Sequence, residues 1–315
     1  MIPDTADPLR FSTVGLPEDQ RIALWEDHNA QALIAVRCRS LQDTTLEATE
    51  INVALPQLQL ARVQGNPHVV ERTEKTVRQT PSDAVACYFT LAGEAFFYHD
   101  DGVRTVSPGQ VIVCDADRPF MRGFSHGLEE LAIKVPRQVF ADLSGTAVPT
   151  EPLVLDFARG DVHARTLARL VGRAVRADAA VPVDEATLLD LLSGFVSGRP
   201  AGLATAHLAA AKTYIEERLT DPRLSAAEVA RGIGISERHL SRVFATGGMS
   251  MPRYILRRRL DRAHRLLTDV PEYGVAEVAY RCGFTSPARF SHAFKERFGL
   301  RATDLRHRAR ARSTA

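Results

Sequence analysis

The chain has 315 residues, with 40 basic against 38 acidic side chains and 45% hydrophobic residues, a length that suits two domains rather than one. Its four cysteines, Cys38, Cys87, Cys114 and Cys282, lack the paired spacing of a zinc site, so reduced packing residues and a cytoplasmic setting are expected. The N-terminus carries acidic Asp4 and Asp7 in place of a basic stretch leading into a long apolar run, so no secretory signal is expected, and no segment reads as a membrane span.

In chain order, Leu16 to Trp25 reads as a helix with Pro17 near its start. Residues from about 33 to 135 then favour strands: Leu33 to Cys38, Ala84 to Leu91, Ala95 to Tyr98, Gln110 to Cys114 and Leu128 to Val135. Turn signals stand at Ala92-Gly93, Asp100-Asp101-Gly102 and Pro108-Gly109. Short antiparallel runs in this rhythm suggest a small barrel or jelly roll. The stretch Arg104 to Val113, with Pro108-Gly109 between two strands, resembles the corresponding step of cupin-like effector domains, and the leading helix, Val70 to Thr73 and Leu91-Ala92-Gly93 fit that resemblance. A barrel of this size can hold a small molecule among its side chains. Tyr88, Phe97, Phe120 and Arg122 are the candidate lining residues, with plain core packing as the other reading of each.

A metal enzyme is the rival for this domain. Gly93 to His99 has the Gly-x5-His spacing of a cupin metal motif, but the partner position holds Asp101, no Glu follows at the required interval, and His126 alone cannot complete a three-ligand site. No Ser/His/Asp or Cys/His arrangement stands out either. Neither catalysis nor a metal or other cofactor is therefore assigned.

From Val162 to Val196 the pattern is helical, with an apolar stripe of Leu167, Leu170, Val171 and Ala174 and a second of Leu188, Leu189, Leu191, Leu192 and Phe195, broken at Ala180-Val181-Pro182. Homodimer contacts and packing against their own barrel are both open for these stripes. Ser197 to Gly202 is small and bendable and reads as a linker. The expected division is thus residues 1–197 for an effector-binding or dimerisation domain and 208–308 for a second domain.

The last hundred residues contain a degenerate repeat. Ala227-Glu228-Val229-Ala230 recurs 49 positions later as Ala276-Glu277-Val278-Ala279, and Gly234, Ser236 and Leu240-Ser241-Arg242-x-Phe244 recur as Gly283, Ser286 and Phe290-Ser291-His292-x-Phe294. Each copy reads as two short helices around a tight turn. Ala230 and Ala279 are small where the helices cross, Gly234 and Gly283 tolerate positive φ, and Ser236 and Ser286 stand where an N-cap is wanted. Val229, Ile233, Leu240 and Phe244 form one small core; Val278, Cys282, Phe290 and Phe294 form its counterpart. Between the copies, Ser250 reads as the N-cap of a central helix with Pro252 in its first turn, apolar on more than one face and so suited to being gripped from both sides.

From Leu208 onward there are 21 basic and 11 acidic residues, a net +10, which leaves −8 for the remainder. Paired helix-turn-helix units on a cationic, Arg-rich segment fit a reader of duplex DNA. On these residues the segment from about Leu208 to Arg306 resembles the DNA-binding domain of the AraC/XylS family of bacterial transcription regulators. It departs from that pattern in two places. The first unit has one residue fewer between Phe244 and Gly248, and the closing motif is Gly299-Leu300-Arg301-Ala302-Thr303-Asp304-Leu305-Arg306, without the usual Ser, Pro and Tyr.

The resemblance implies base readout by Arg238, Ser241 and Arg242 in the first unit, with His239 at the edge, and by Ala288, Arg289, Ser291 and His292 in the second. Ser236, Ser250, Arg253, Arg257 and Lys295 are expected on the DNA backbone. Arg238 or Arg242 is the expected reader of a guanine edge. A rigid helix between two heads suggests successive major-groove segments about one turn, ~34 Å, apart. The expected fold class is α+β, a cupin-like β-barrel with flanking helices followed by an all-α domain of two helix-turn-helix units. The expected partners are promoter DNA, RNA polymerase and an unidentified small-molecule effector. The alternatives are a cupin-type metalloenzyme with a fused DNA-binding domain, and an effector-independent regulator whose barrel only dimerises.

Overall fold

The computed structural model describes residues 8–41, 44–100, 102–159, 162–176, 184–197, 203–246, 248–270 and 272–313. Asp4, Asp7, Asp101, the Ala180 to Pro182 break, the 198–202 part of the linker and Gly247 lie outside them. The chain divides into two compact units, 1–206 and 207–315.

In the first unit β1 (Leu9–Ser12) leads to α1 (Glu18–Ala32), then β2 (Arg37–Ser40), β3 (Ala48–Ala54), β4 (Gln59–Gly65) and β5 (His68–Arg72) precede α2 (Glu74–Gln79). There follow β6 (Ala84–Ala92), β7 (Ala95–His99), β8 (Gly102–Val106), β9 (Gln110–Asp115), β10 (Phe120–Phe124) and β11 (Leu128–Pro136). The unit closes with α3 (Arg137–Ser144), β12 (Leu153–Asp156), α4 (Val162–Ala174) and α5 (Glu185–Ser197).

The strands form two antiparallel sheets, ordered β1-β3-β4-β11-β6-β9-β12 and β2-β5-β10-β7-β8. They share one core: Ala61, Tyr88, Ile112 and Ala132 from the first sheet meet Phe97, Val106, Phe120 and Phe124 from the second, with Trp25 of α1 added. The expected strands after residue 84 are present to within a residue or so. Leu33 to Cys38 differs. Helix α1 runs on to Ala32, the Leu33 amide closes it on Asn29, and pairing starts only at Arg37. Leu33, Ile34 and Val36 are apolar because they are buried beneath α1, and not because they alternate across a sheet.

The two helical stripes pack against their own domain. Leu167, Val171, Leu188, Leu191 and Leu192 are buried within the single chain, and Phe195 meets Phe89 of β6 with ring centroids 6.4 Å apart. Leu170 and Leu189 of the same stripes stay half-exposed, so homodimer contacts remain open to them.

Helix α6 (Leu203–Glu217) begins just before the division and runs into the second unit, which is all helix and continues with α7 (Ala226–Ile233), α8 (Glu237–Thr246), α9 (Met251–Asp269), α10 (Val275–Arg281), α11 (Pro287–Phe298) and α12 (Ala302–Ser313). It holds two small cores. Met251 and Ile255 of α9 pack with Val229, Leu240 and Phe244, whereas Leu260, Ala263 and Leu267 of the same helix pack with Val278, Cys282, Phe290 and Phe294. Helix α9 is therefore the shared wall of both repeats, as its two-sided apolar pattern requires.

Candidate nucleic-acid interface

Each repeat folds as its sequence dictates. Ser225 caps α7 by accepting from the Glu228 amide at 3.3 Å. Gly234 ends α7 in the left-handed region at φ 76°, and Gly283 takes φ 81° in the matching turn. Ser236 accepts from the His239 amide at 3.2 Å and Ser286 from the Arg289 amide at 3.4 Å, so both hydroxyls satisfy orphan donors at the start of the outer helices. Ala230 and Ala279 are buried at the helix crossings. Helix α8 ends at Thr246, ten residues long against twelve for α11, which is where the shorter first repeat differs.

The outer faces of α8 and α11 carry the candidate reading residues. Arg238, Ser241 and Arg242 are exposed on α8; Ala288, Arg289, Ser291 and His292 are exposed on α11, with Lys295 further along. Ser236, Ser250, Arg253 and Arg257 are exposed too, the last two on α9. Ser241 and Ser250 line one groove of about 440 Å³ between α8 and the start of α9. Ser250 occupies the N-cap position without a side-chain cap bond, unlike Ser236 and Ser286.

Arginines in this unit fall into two groups. Arg258 is paired with Glu216 at 2.6 Å, Arg281 with Glu277 at 2.9 Å and Arg297 with Asp261 at 2.5 Å. Arg259 donates to the Leu219 and Asp221 carbonyls at 2.9 and 2.6 Å. In contrast, the side chains of Arg238, Arg253, Arg257, Arg289 and Lys295 make no hydrogen bond or ion pair with the described residues. Their donors remain available to phosphate or base edges. Ser291 is partly engaged already, since its hydroxyl donates to the Pro287 carbonyl at 2.9 Å and only its lone pairs remain. His292 sits 4.0 Å from Glu296.

His239, at the edge of the candidate reading face, has both ring nitrogens in use. One is 2.9 Å from His207 Nδ1 and the other 3.3 Å from Arg242. Nothing in the sequence marked His207, which lies 32 positions away.

The first unit has its own polar interior. Tyr88, Phe120 and Arg122 line a cavity of about 30 Å³ with Trp25, His68 and Glu130; Phe97 does not line it but stacks on Phe120 at 5.2 Å. Arg122 is not free to meet a ligand with its end nitrogens, because both lie on Glu130 at 2.9 and 2.6 Å, while its plane covers Tyr88 at 3.9 Å. Burial alone would lower the Arg122 pKa, but the Glu130 carboxylate outweighs it and holds the guanidinium charged. Glu50 is fully buried, and that burial pushes its pKa up to about 7 although Asn52 donates to it at 2.6 Å. Trp25 Nε1, Glu50 Oε2, Thr90 Oγ1 and Arg122 Nε have no hydrogen-bond partner among the described residues, and Glu50 Oε2 lies 3.8 Å from His28 Nε2. Among the described residues no three His, Cys, Asp or Glu side chains are grouped so as to hold a metal ion, and no helix is long and apolar enough to cross a membrane.

Residues 25–198 match the family model of an AraC-binding-like domain, and residues 229–308 match that of a helix-turn-helix domain. The transcriptional activator NphR of Rhodococcus sp is 22% identical over 77% of this chain and 75% of its own length. The transcriptional activator RhrA of Rhizobium meliloti (strain 1021) is 32% identical over 33% of each chain. The HTH-type transcriptional regulator GlxA of the same organism is 40% identical over 36% of this chain and 33% of its own. The matches to RhrA and GlxA thus span a third of those proteins. Among solved structures, the AraC-like transcriptional activator CuxR aligns with 82% of this chain and 96% of its own at a TM-score of 0.50 and 20% identity, a likeness of fold.

Proposed function

The chain belongs to the AraC family of transcription regulators, and we propose that it is a cytoplasmic, sequence-specific reader of promoter DNA whose activity responds to a small molecule. The observation that carries the DNA reading is the pair of outer helices, α8 and α11, exposing unpaired cations and short polar side chains from two repeats built on one helix, α9. Arg238 or Arg242 reads a guanine edge, and Arg289 and His292 read in the second unit. Ser236, Ser250, Arg253, Arg257 and Lys295 contact phosphate and set the register. The net +10 of this segment draws it to the duplex, and the −8 of the rest keeps the first unit away from it.

Selection of bound sequences from a pool of random duplexes tests this with the full chain. The expected product is a motif of two short elements about one helical turn apart. A pool that comes out as random as it went in would end the proposal.

The names of NphR and RhrA favour activation, in which the bound regulator contacts RNA polymerase. Transcription from the selected site, with and without the protein, gives the sign. For the effector, support comes from the partnerless buried polar atoms of Trp25 and Arg122 beside the interior cavity. At about 30 Å³ that cavity holds little more than water, so a metabolite enters only if α1 or the side chains around Trp25 yield. A thermal-shift screen of small molecules is the check: binding raises the midpoint with concentration.

A further inference from the structure

We infer that His207 is a positioning residue for base readout: through His239 it orients the guanidinium of Arg242 on the first reading helix. This rests on the DNA-reading role of Arg242 proposed above.

His207 opens the second unit, in the first turns of α6, while His239 and Arg242 lie one turn apart on α8. His207 Nδ1 is 2.9 Å from His239 Nε2, with the two rings edge-on at 89° and centroids 4.9 Å apart. Arg242 reaches back to His239 Nδ1 at 3.3 Å. The protons in this chain have only one consistent placement. A guanidinium always donates and never accepts, so His239 Nδ1 must be bare. The His239 proton is then on Nε2, where it donates to His207 Nδ1, and His207 carries its own proton on Nε2. Arg242 thereby sets the tautomer of both rings, and in return His239, braced by His207, holds one edge of the guanidinium.

The consequence lies in the edge that remains. One N–H of Arg242 is taken by His239, which leaves a planar pair of donors of the kind that matches guanine O6 and N7. Arg242 is otherwise exposed, and a long side chain that must be ordered at the moment of binding loses affinity to entropy. Fixing one edge beforehand removes part of that loss and restricts which base edge it meets. The second repeat has no such device. The positions matching His239 and Arg242 are Arg289 and His292, and His292 faces Glu296 instead. The relay is thus a property of the first reading head alone.

The test selects bound sequences from random duplexes with the full-length parent, Arg242→Ala, His207→Ala, His239→Ala and His207→Asn, each with its thermal midpoint. Arg242→Ala identifies the base pair that arginine reads. His207→Ala and His239→Ala are expected to weaken preference at that same base pair by about two- to tenfold, the effect of one hydrogen bond, with affinity for random duplex unchanged. His207→Asn is expected to keep the preference, because its Oδ1 accepts from His239 Nε2–H much where Nδ1 did. Should His207→Ala lower the midpoint, His239→Ala, at a half-exposed helical position, carries the comparison. Parental preference in both alanine variants overturns the inference, as does an asparagine variant that fails like alanine at an unchanged midpoint. If Arg242→Ala changes no base preference while the parent still enriches a motif, the relay has nothing to orient and the inference falls alone. If the parent enriches nothing, the DNA reading itself fails.

Discussion

Gly283 lies directly beneath the carbonyl of Thr220: a Cβ added to it would stand 2.9 Å from Thr220 O and 3.0 Å from Leu219 O. The contact joins the second repeat's turn to the loop after α6, which belongs to the first repeat's core. Arg259 from the shared helix α9 reaches the same loop, donating to Leu219 and Asp221. Two heads that each have their own small core are thereby held to a common frame.

Gly234 is the counterpart turn residue, at φ 76°, but nothing lies within 4 Å of its added Cβ. Gly234→Ala is therefore expected to cost only the left-handed penalty, about 1–2 kcal/mol. Gly283→Ala adds an overlap with backbone that cannot move aside, for a total of about 3 kcal/mol. Urea unfolding of the two variants decides it, and equal losses would show that the Thr220 contact contributes nothing.

Removing a base reader and removing a phosphate contact have different signatures. Arg242→Ala should weaken the selected site by about 1–3 kcal/mol and leave random duplex nearly unaffected. Lys295→Ala should weaken both alike and reduce the slope of log affinity against log salt by about one. Titrations at several salt concentrations separate the two, and an unchanged slope for Lys295→Ala would remove it from the backbone contacts.

Inside the first unit, Arg122 and Glu130 are both almost fully buried. Glu130→Gln strips the buried guanidinium of its counter-charge, and should lower stability by about 3–5 kcal/mol. Replacing both with apolar residues, Arg122→Met with Glu130→Leu, should cost less than the single change, since no charge is left stranded. A double variant at least as unstable as the single in thermal unfolding would contradict this account.

Glu50 makes the stability of the first unit depend on pH. Its folded pKa, pushed up to about 7 by burial, exceeds the usual carboxylate value of 4.5, so the folded state holds the proton more tightly. Its contribution is complete below pH ~4.5 and is lost as pH rises towards 7, by up to about 3 kcal/mol. Glu50→Gln keeps the acceptor for Asn52 and cannot ionise. It should flatten stability across this window and exceed the parent at pH 8; a variant that tracks the parent throughout would place the pH dependence elsewhere.

Much of the proposed reading surface is legible in the sequence because its causes are local. Helical periodicity determines that Arg238, Ser241 and Arg242 face away from Leu240 and Phe244, and likewise in the second repeat. The positive φ of Gly234 and Gly283 and the caps from Ser236 and Ser286 depend on residues no more than a few positions apart. Even Ser291's back-bond to Pro287 spans only one turn, though a hydroxyl at that position has two options and the sequence does not choose between them.

Contacts between distant residues are different. Arg122 was a candidate for an effector, yet strand alternation cannot reveal that Glu130, on the neighbouring sheet's β11, already occupies its end nitrogens. Leu33 to Val36 has the composition of a strand and is instead buried irregular chain, because α1 above it runs seven residues past Trp25.

By itself the sequence determined the twofold helical plan of the last third, its capped turns, its outward-facing cations and the β-rich character of what precedes it, since these follow from spacing and from the φ, ψ preferences of single residues. Only the tertiary structure decided that His207 braces His239 across 32 positions, that Gly283 must stay bare against Thr220, and that charges are shut inside the sandwich. Such pairings depend on where packing brings two distant segments, and burial then makes an unpaired polar group too costly to leave alone.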